Sequence, residues 1–321
     1  MARKNYTNPV GEIRGIGDPC VAQRSILPLC HECGRRVLVL ESVDLVNWAP
    51  RGYAYRRHDD SWGKRTYWAP EVIYARGMFY MVFSCQGTDS GRFSARICVA
   101  GSDEPGGPFK DLYLPYFDYG YSCIDGHIFL DDNGTPYLYY ARVGVFDETW
   151  KEASEGFLGG MVFGIELSAD LSSPIGEPTC CVKLSQAWEA GPNARARCNE
   201  GAFVIKHNGL YYMTYSANHY ADPRYGIGYA TAPHPLGPWT KSEDNPIVQA
   251  DLSIGVSGPG HNCIVASPDG DELFMVYHSH ANPANPSGNR VVNIDQLVFD
   301  DAGNMKLIGP SRTPQPAPSG T

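Results

Sequence analysis

The sequence predicts an all-β fold, a five-bladed β-propeller, and three observations predict it. Four segments repeat one pattern: an extended apolar run, a turn with glycine, then a second extended run rich in aromatics. In each, the glycine stands nine residues after the opening residue: Trp68 and Gly77, Asp125 and Gly134, Glu200 and Gly209, His261 and Gly270. The turn chemistry agrees, because Asn133-Gly134, Asn208-Gly209 and Asp269-Gly270 are the strongest short-range hairpin signals. Finally, 35 glycines and 25 prolines in 321 residues suit many turns better than long helices.

A looser copy opens the series at Asp18-Pro19-Cys20-Val21-Ala22, with Gly34 ahead of the strand RRVLVLES (35–42). Its hairpin loop is longer by seven residues, an insertion that holds Cys30 and Cys33. DLVNW (44–48) follows as an outer-strand turn, as do GPF (107–109) after the second hairpin (68–84) and GPW (237–239) after the fourth (200–216). The third hairpin (125–141) is followed by a long segment, 144–160, a candidate for the rim of a pocket, and then by the strand MVFGIEL (161–167). Trp150 and Phe157 in that segment are expected to pack the loop rather than wall a subsite. The fifth hairpin spans 261–277, so openings at 18, 68, 125, 200 and 261 give intervals of 50, 57, 75 and 61. Those intervals suit four-stranded blades with variable loops. Phe79, Tyr80, Tyr137, Tyr139, Tyr211 and Tyr212 fall in second strands and are expected in the blade cores. One propeller domain over 1–309 is expected, with 310–321 (PSRTPQPAPSG and the last Thr) a flexible tail.

Composition excludes several classes. The net charge of −9, with no run of like charges, argues against nucleic-acid or anionic-membrane partners, which select basic patches. No segment approaches the roughly 18 consecutive apolar residues of a membrane span. The start, MARKNYTNPV, lacks the apolar core of a secretory signal. The ten cysteines sit mostly in apolar runs, and the CxxC pair Cys30/Cys33 has no second pair to complete a zinc site. Reduced thiols are expected, and with them a cytoplasmic location. Oligomeric state is not legible.

In a propeller the innermost strand of each blade lines a central channel, and equivalent positions converge on its axis. The five opening residues, Asp18, Trp68, Asp125, Glu200 and His261, would therefore surround one pocket. Structure alone would not favour three carboxylates there, because burying an unpaired charge is costly. Cleaving a glycosidic bond does need them. One carboxyl delivers a proton to the leaving oxygen, and a second makes the nucleophile at the anomeric carbon. A third can raise the pKa of the acid and hold its orientation. Trp68 offers a face on which a sugar ring can stack.

These residues resemble glycoside hydrolase family 43, among the five-bladed propeller hydrolases that include the arabinanases. The resemblance runs from Asn8-Pro9-Val10 to Asp300. It is carried by GDP (17–19), WAPEV (68–72), IDGHIF (124–129), NEGAF (199–203), SGPGH (257–261) and NRVVNIDQLVFDDAGN (289–304). It implies an inverting mechanism with Asp18 as general base, Glu200 as general acid and Asp125 as the carboxylate that tunes and positions the acid. Arg290 matches an arginine that contacts the bound sugar or the acidic cluster. His261 matches a histidine that in many members helps hold a hydrated metal ion, often calcium, in the channel. The implied substrates are plant cell-wall oligosaccharides or polysaccharides, first among them those carrying terminal α-L-arabinofuranosyl units on arabinan or arabinoxylan. β-D-Xylosidase (alone or bifunctional) and endo-arabinanase activities remain alternatives.

Three rival readings have distinct signatures. A retaining fructan-type propeller hydrolase would read NDPN, RDP and a later EC; here the match is GDPC, RDP is absent, and Glu32-Cys33 sits in the same hairpin as Asp18. A non-catalytic sugar-binding propeller would tolerate loss of one acid, yet all three are present. A glycoside phosphorylase needs a basic cluster for phosphate, and Arg195 and Arg197, just before Glu200, keep that open.

Overall fold

The computed structural model describes residues 3–12, 14–22, 26–31, 36–88, 91, 93–191 and 196–321, and for 26–31 the backbone alone. Its strands form five four-stranded antiparallel units in chain order. The first contains Ile16–Gly17, Ile26–His31, Arg36–Glu41 and Ala49–Arg56; the second Arg65–Ala75, Met78–Gln86, Ala95–Ser102 and Lys110–Tyr113. The third contains Ser122–Leu130, Pro136–Phe146, Phe157–Leu167 and Pro174–Val182; the fourth Ala196–His207, Leu210–Ala217, Gly226–Ala232 and Thr240–Lys241. The fifth contains Gly260–Ala266, Leu273–His280, Arg290–Phe299 and Met305–Leu307. A short parallel pairing of Leu158–Gly160 with Ala196–Cys198 joins the third and fourth units into one sheet.

Alternation along each strand turns apolar side chains to both blade faces, and the burial follows. A hydrophobic cluster fills each gap between neighbouring blades: Val37, Tyr55, Met81 and Phe83 between the first and second; Val82, Ile97, Leu138 and Ile165 between the second and third; Val162, Val204, Met213 and Tyr215 between the third and fourth; Ile227, Met275, Tyr277 and Leu297 between the fourth and fifth. The ring closes on Ile16, Leu40, Cys263, Val276 and Ile294, between fifth and first. Phe79, Tyr80, Tyr139 and Tyr212 are buried in these layers, Tyr137 is partly buried against one of them, and Tyr211 is buried outside them. The architecture is a five-bladed β-propeller. Closure is reinforced by the chain start, where the Asn8 side chain exchanges hydrogen bonds with the Ile294 backbone at 2.7 and 2.9 Å.

The structure corrects two expectations. RRVLVLES does not pair as the second strand of the first hairpin: Ile26–His31 holds that place, and Arg36–Glu41 is the third strand. The reason is chemical. No Asn-Gly or other glycine turn lies between Ala22 and Ile26, so the glycine rule selected the next turn, at Gly34. Cys33 and the side chain of Cys30 lie outside the described residues. The second correction concerns 310–321, which is not a loose tail. Gln315–Pro316 pairs with Asn5–Tyr6, and the Ala317 N–H donates to the Lys4 carbonyl. Ser311 donates to the buried Asp295 carboxylate, and Ser319 donates to Asp269 at 2.6 Å. Serines that suggest disorder by composition here add hydrogen bonds to carboxylates that Tyr277 and Ser267 also hold.

Candidate active site

A repeated backbone irregularity aims the site. The ladder register of the inner strands slips between Trp68 and Glu71, Ile124 and His127, Glu200 and Phe203, and Gly260 and Asn262. At each slip one residue takes a left-handed conformation: Ala69 (φ 45°), Asp125 (59°), Gly201 (59°) and His261 (46°), with Asp18 (54°) at the matching place in the first blade. Bulges of this kind re-aim side chains and free backbone N–H groups, and non-glycine residues hold such φ values only where their surroundings over-determine them. Here the freed N–H groups lock neighbouring blades together. Asp125 N–H donates to Ser84 Oγ (2.9 Å), His261 N–H to Ser216 Oγ (2.7 Å) and Asp18 N–H to His278 Nδ1 (3.2 Å). The third blade has Ala141 where its neighbours have Ser84 and Ser216. The Gly201 N–H therefore donates to the Asp125 carboxylate itself, at 3.2 Å, tying the second acid to the strand that carries Glu200.

The result is a pocket of about 180 Å³ lined by Asp18, Trp68, Ile124, Asp125, Glu200, Tyr220, Tyr225, His261 and Arg290. All six residues selected from the sequence, Asp18, Trp68, Asp125, Glu200, His261 and Arg290, meet there. Arg290 Nη1 donates to Asp18 Oδ1 at 3.0 Å, and His261 Nδ1 lies 3.4 Å from that oxygen and 3.9 Å from Asp125 Oδ2. Gly17 makes this possible: a Cβ there would sit 1.9 Å from the Arg290 guanidinium. Trp68 (40 % exposed) and Tyr220 (41 %) present the open aromatic faces of the pocket. Trp150, by contrast, packs between Phe146 and Phe157 at ring distances of 5.7 and 5.0 Å.

Environment drives the carboxyls apart. Burial works to raise Asp18, but the charge of Arg290, that of His261 at the acid pH where its imidazole is protonated, and the Arg290 hydrogen bond hold it below its ordinary value. Burial pushes Glu200 up to about 7, with Asp18 adding to the rise and the Tyr225 hydrogen bond and Arg290 opposing it. Asp125 is pushed well above the carboxylate range by burial, then by Glu200 and Asp18. Near neutral pH the pocket thus holds an ionised Asp18 beside a Glu200 able to carry a proton, the division that acid–base chemistry on one bond requires. His261 and His278 are pushed down by burial and stay neutral there.

Below the acids, Glu71 pairs with His127 Nδ1, whose Nε2 accepts the Val204 N–H at 3.0 Å. Arg197 is engaged elsewhere: it bonds Glu148 twice, at 2.6 and 3.0 Å, and covers Phe157. Arg195 lies outside the described residues, and among those that line the pocket Arg290 is the one cation.

The profile of glycosyl hydrolases family 43 matches residues 26–305. The chain belongs to glycoside hydrolase family 43. A thermostable family-43 glycoside hydrolase of known crystal structure is 46% identical, with a TM-score of 0.91 over 98% of this chain and all of the other. A β-D-galactofuranosidase from Aspergillus niger is 28% identical over 279 residues, 82% of this chain and 72% of that protein. An arabinoxylan arabinofuranohydrolase from Paenibacillus polymyxa is 26% identical over 303 residues, 85% of this chain but 44% of that longer protein. The family 43 enzyme described here is an inverting glycoside hydrolase.

Sequence reasoning missed Tyr220, Tyr225 and His278. It also passed over Ser84 and Ser216, although both close their repeats in register, 16 residues after Trp68 and Glu200.

Proposed function

We propose that the enzyme removes terminal α-L-arabinofuranosyl units from arabinan or arabinoxylan oligosaccharides. The observation that carries this reading is the pocket of about 180 Å³, room for one sugar ring, lined by the three carboxylates and by Trp68 and Tyr220. The likeness to an arabinoxylan arabinofuranohydrolase supports the arabinofuranosyl choice. Asp18, ionised beside Arg290, takes a proton from the attacking water. Glu200 gives its proton to the glycosidic oxygen as that bond breaks. Asp125, fixed by Ser84 and Gly201, holds the sugar and the acid in register. The test is a panel: p-nitrophenyl arabinofuranoside against p-nitrophenyl xyloside, with arabinan and arabinoxylan alongside. Faster cleavage of the arabinofuranoside, with arabinose as the released sugar, is expected. Internal cutting of linear arabinan with neither aryl glycoside cleaved would overturn exo action, and preference for the xyloside would make it a xylosidase.

A calcium ion in the channel belongs to the same proposal. Beneath the acids lies a cavity of about 10 Å³, room for one water or ion, lined by Asp18, Glu71, Asp125, His261 and Asn262 among others. Asn262 Oδ1 is buried with no hydrogen-bond partner and is the kind of oxygen donor a hard cation takes, whereas the imidazole of His261 would be an unusual ligand for one. Among the described residues no three His, Cys, Asp or Glu side chains converge on one point, so His261 and Asn262 would hold the ion, with waters on the side of the larger pocket completing the shell. When bound, it would supply positive charge beneath the carboxylates. Chelation is expected to lower the melting temperature, and His261→Ala to abolish that effect. A chelator-insensitive melting temperature with no metal by elemental analysis would remove the ion from the account.

A further inference from the structure

Glu200 can act as an acid only if one of its oxygens is held and the other is free to carry the proton. We propose that Tyr225 is the residue that holds it, a positioning residue acting through Glu200; the inference rests on the reading of Glu200 as the acid. The Tyr225 hydroxyl donates to Glu200 Oε1 at 2.8 Å. An oxygen that accepts this bond does not also carry the acidic proton, so the proton is assigned to Oε2. When it leaves, the carboxylate keeps the Tyr225 bond, which strengthens as charge develops on it.

The seat of Tyr225 is built for this. Its ring is 1 % exposed and lies parallel to His278, at 5.8 Å and 7°. Gly260, in SGPGH, leaves the space: a Cβ there would sit 2.0 Å from the Tyr225 ring. The approach is fixed as well, because the Tyr225 N–H donates to the Asp222 carbonyl (3.0 Å) and Asn218 Nδ2 donates to the Arg224 carbonyl (3.0 Å). Ser216, whose Oγ takes the His261 N–H, lies near enough to the phenol to act on it as well. Burial and the nearby acids keep the phenol protonated, hence always a donor. The titratable and charged groups facing Glu200 are Asp18, Asp125, Arg290, Tyr225 and the buried Cys198 thiol.

The test is Tyr225→Phe, which keeps the ring on His278 and Gly260 and removes one hydroxyl. Its kcat on arabinofuranosyl oligosaccharides should fall about tenfold, part of the roughly 10²–10⁴-fold that a general acid contributes. KM should change less than kcat, and a dinitrophenyl glycoside should lose less. Because the hydroxyl holds the Glu200 pKa down, the basic limb of the pH profile should move up. Gly260→Ala, which displaces the same ring, should move that limb in the same direction. A basic limb that stays put in both variants, or equal losses on activated and natural substrates, would overturn the inference. Glu200→Gln is measured alongside: if it stays active on oligosaccharides, the acid assignment itself has failed, not this contact.

Discussion

Glu200→Ala should lower kcat/KM on natural oligosaccharides by about 10²–10⁴-fold, the usual worth of a positioned acid. The same variant should retain far more activity on dinitrophenyl glycosides. A dinitrophenolate departs without a proton, so its loss costs that substrate little, whereas a sugar alkoxide cannot depart unprotonated at neutral pH. The pH profile carries the same information. In the parent enzyme the basic limb should fall near pH 7, where Glu200 loses its proton. In Glu200→Ala, assayed on the activated substrate, that limb should disappear. The leaving-group series and the two profiles check this together, and equal losses on both substrates would assign the acid elsewhere.

Asp18→Ala should depress both substrates alike, by about 10²-fold or more, because the attacking water loses its base whatever the leaving group. Arg290 at 3.0 Å keeps Asp18 ionised, so the acidic limb of the parent should lie below the ordinary aspartate value of about 3.9. The sign follows from which state the arginine favours: it stabilises the anion, so activity persists downward in pH until Asp18 is protonated. Arg290→Met should then shift the acidic limb upward, a change readable in kcat/KM against pH. An Asp18 variant that regains its rate on dinitrophenyl glycosides would contradict this role.

Much of this site was legible in the sequence because hairpin chemistry is local. Asn-Gly and Asp-Gly fixed the register of the third, fourth and fifth hairpins, and equal spacing from those turns placed Asp125, Glu200 and His261 on one axis. What escaped lacked a local signal. The first blade turns without glycine ahead of Ile26, so its second strand went unread. Ser311 and Ser319 belong to a Pro/Ser-rich stretch, and their partners Asp295 and Asp269 stand 16 and 50 residues away. Tyr225 lies between strands, outside the repeated pattern, and only the folded ring of blades brings its hydroxyl to Glu200. Gly17 and Gly260 carry no turn; each is small because Arg290 or Tyr225 lies against it.

The division of labour between Asp18 and Glu200 is tested most directly by proton NMR of the first sugar released. If Asp18 activates water on the face opposite the leaving group, a single displacement occurs, and the first product carries the anomeric configuration opposite to that of the substrate before mutarotation mixes the two. Retention of configuration would make Asp18 a nucleophile in a double displacement and would contradict the account.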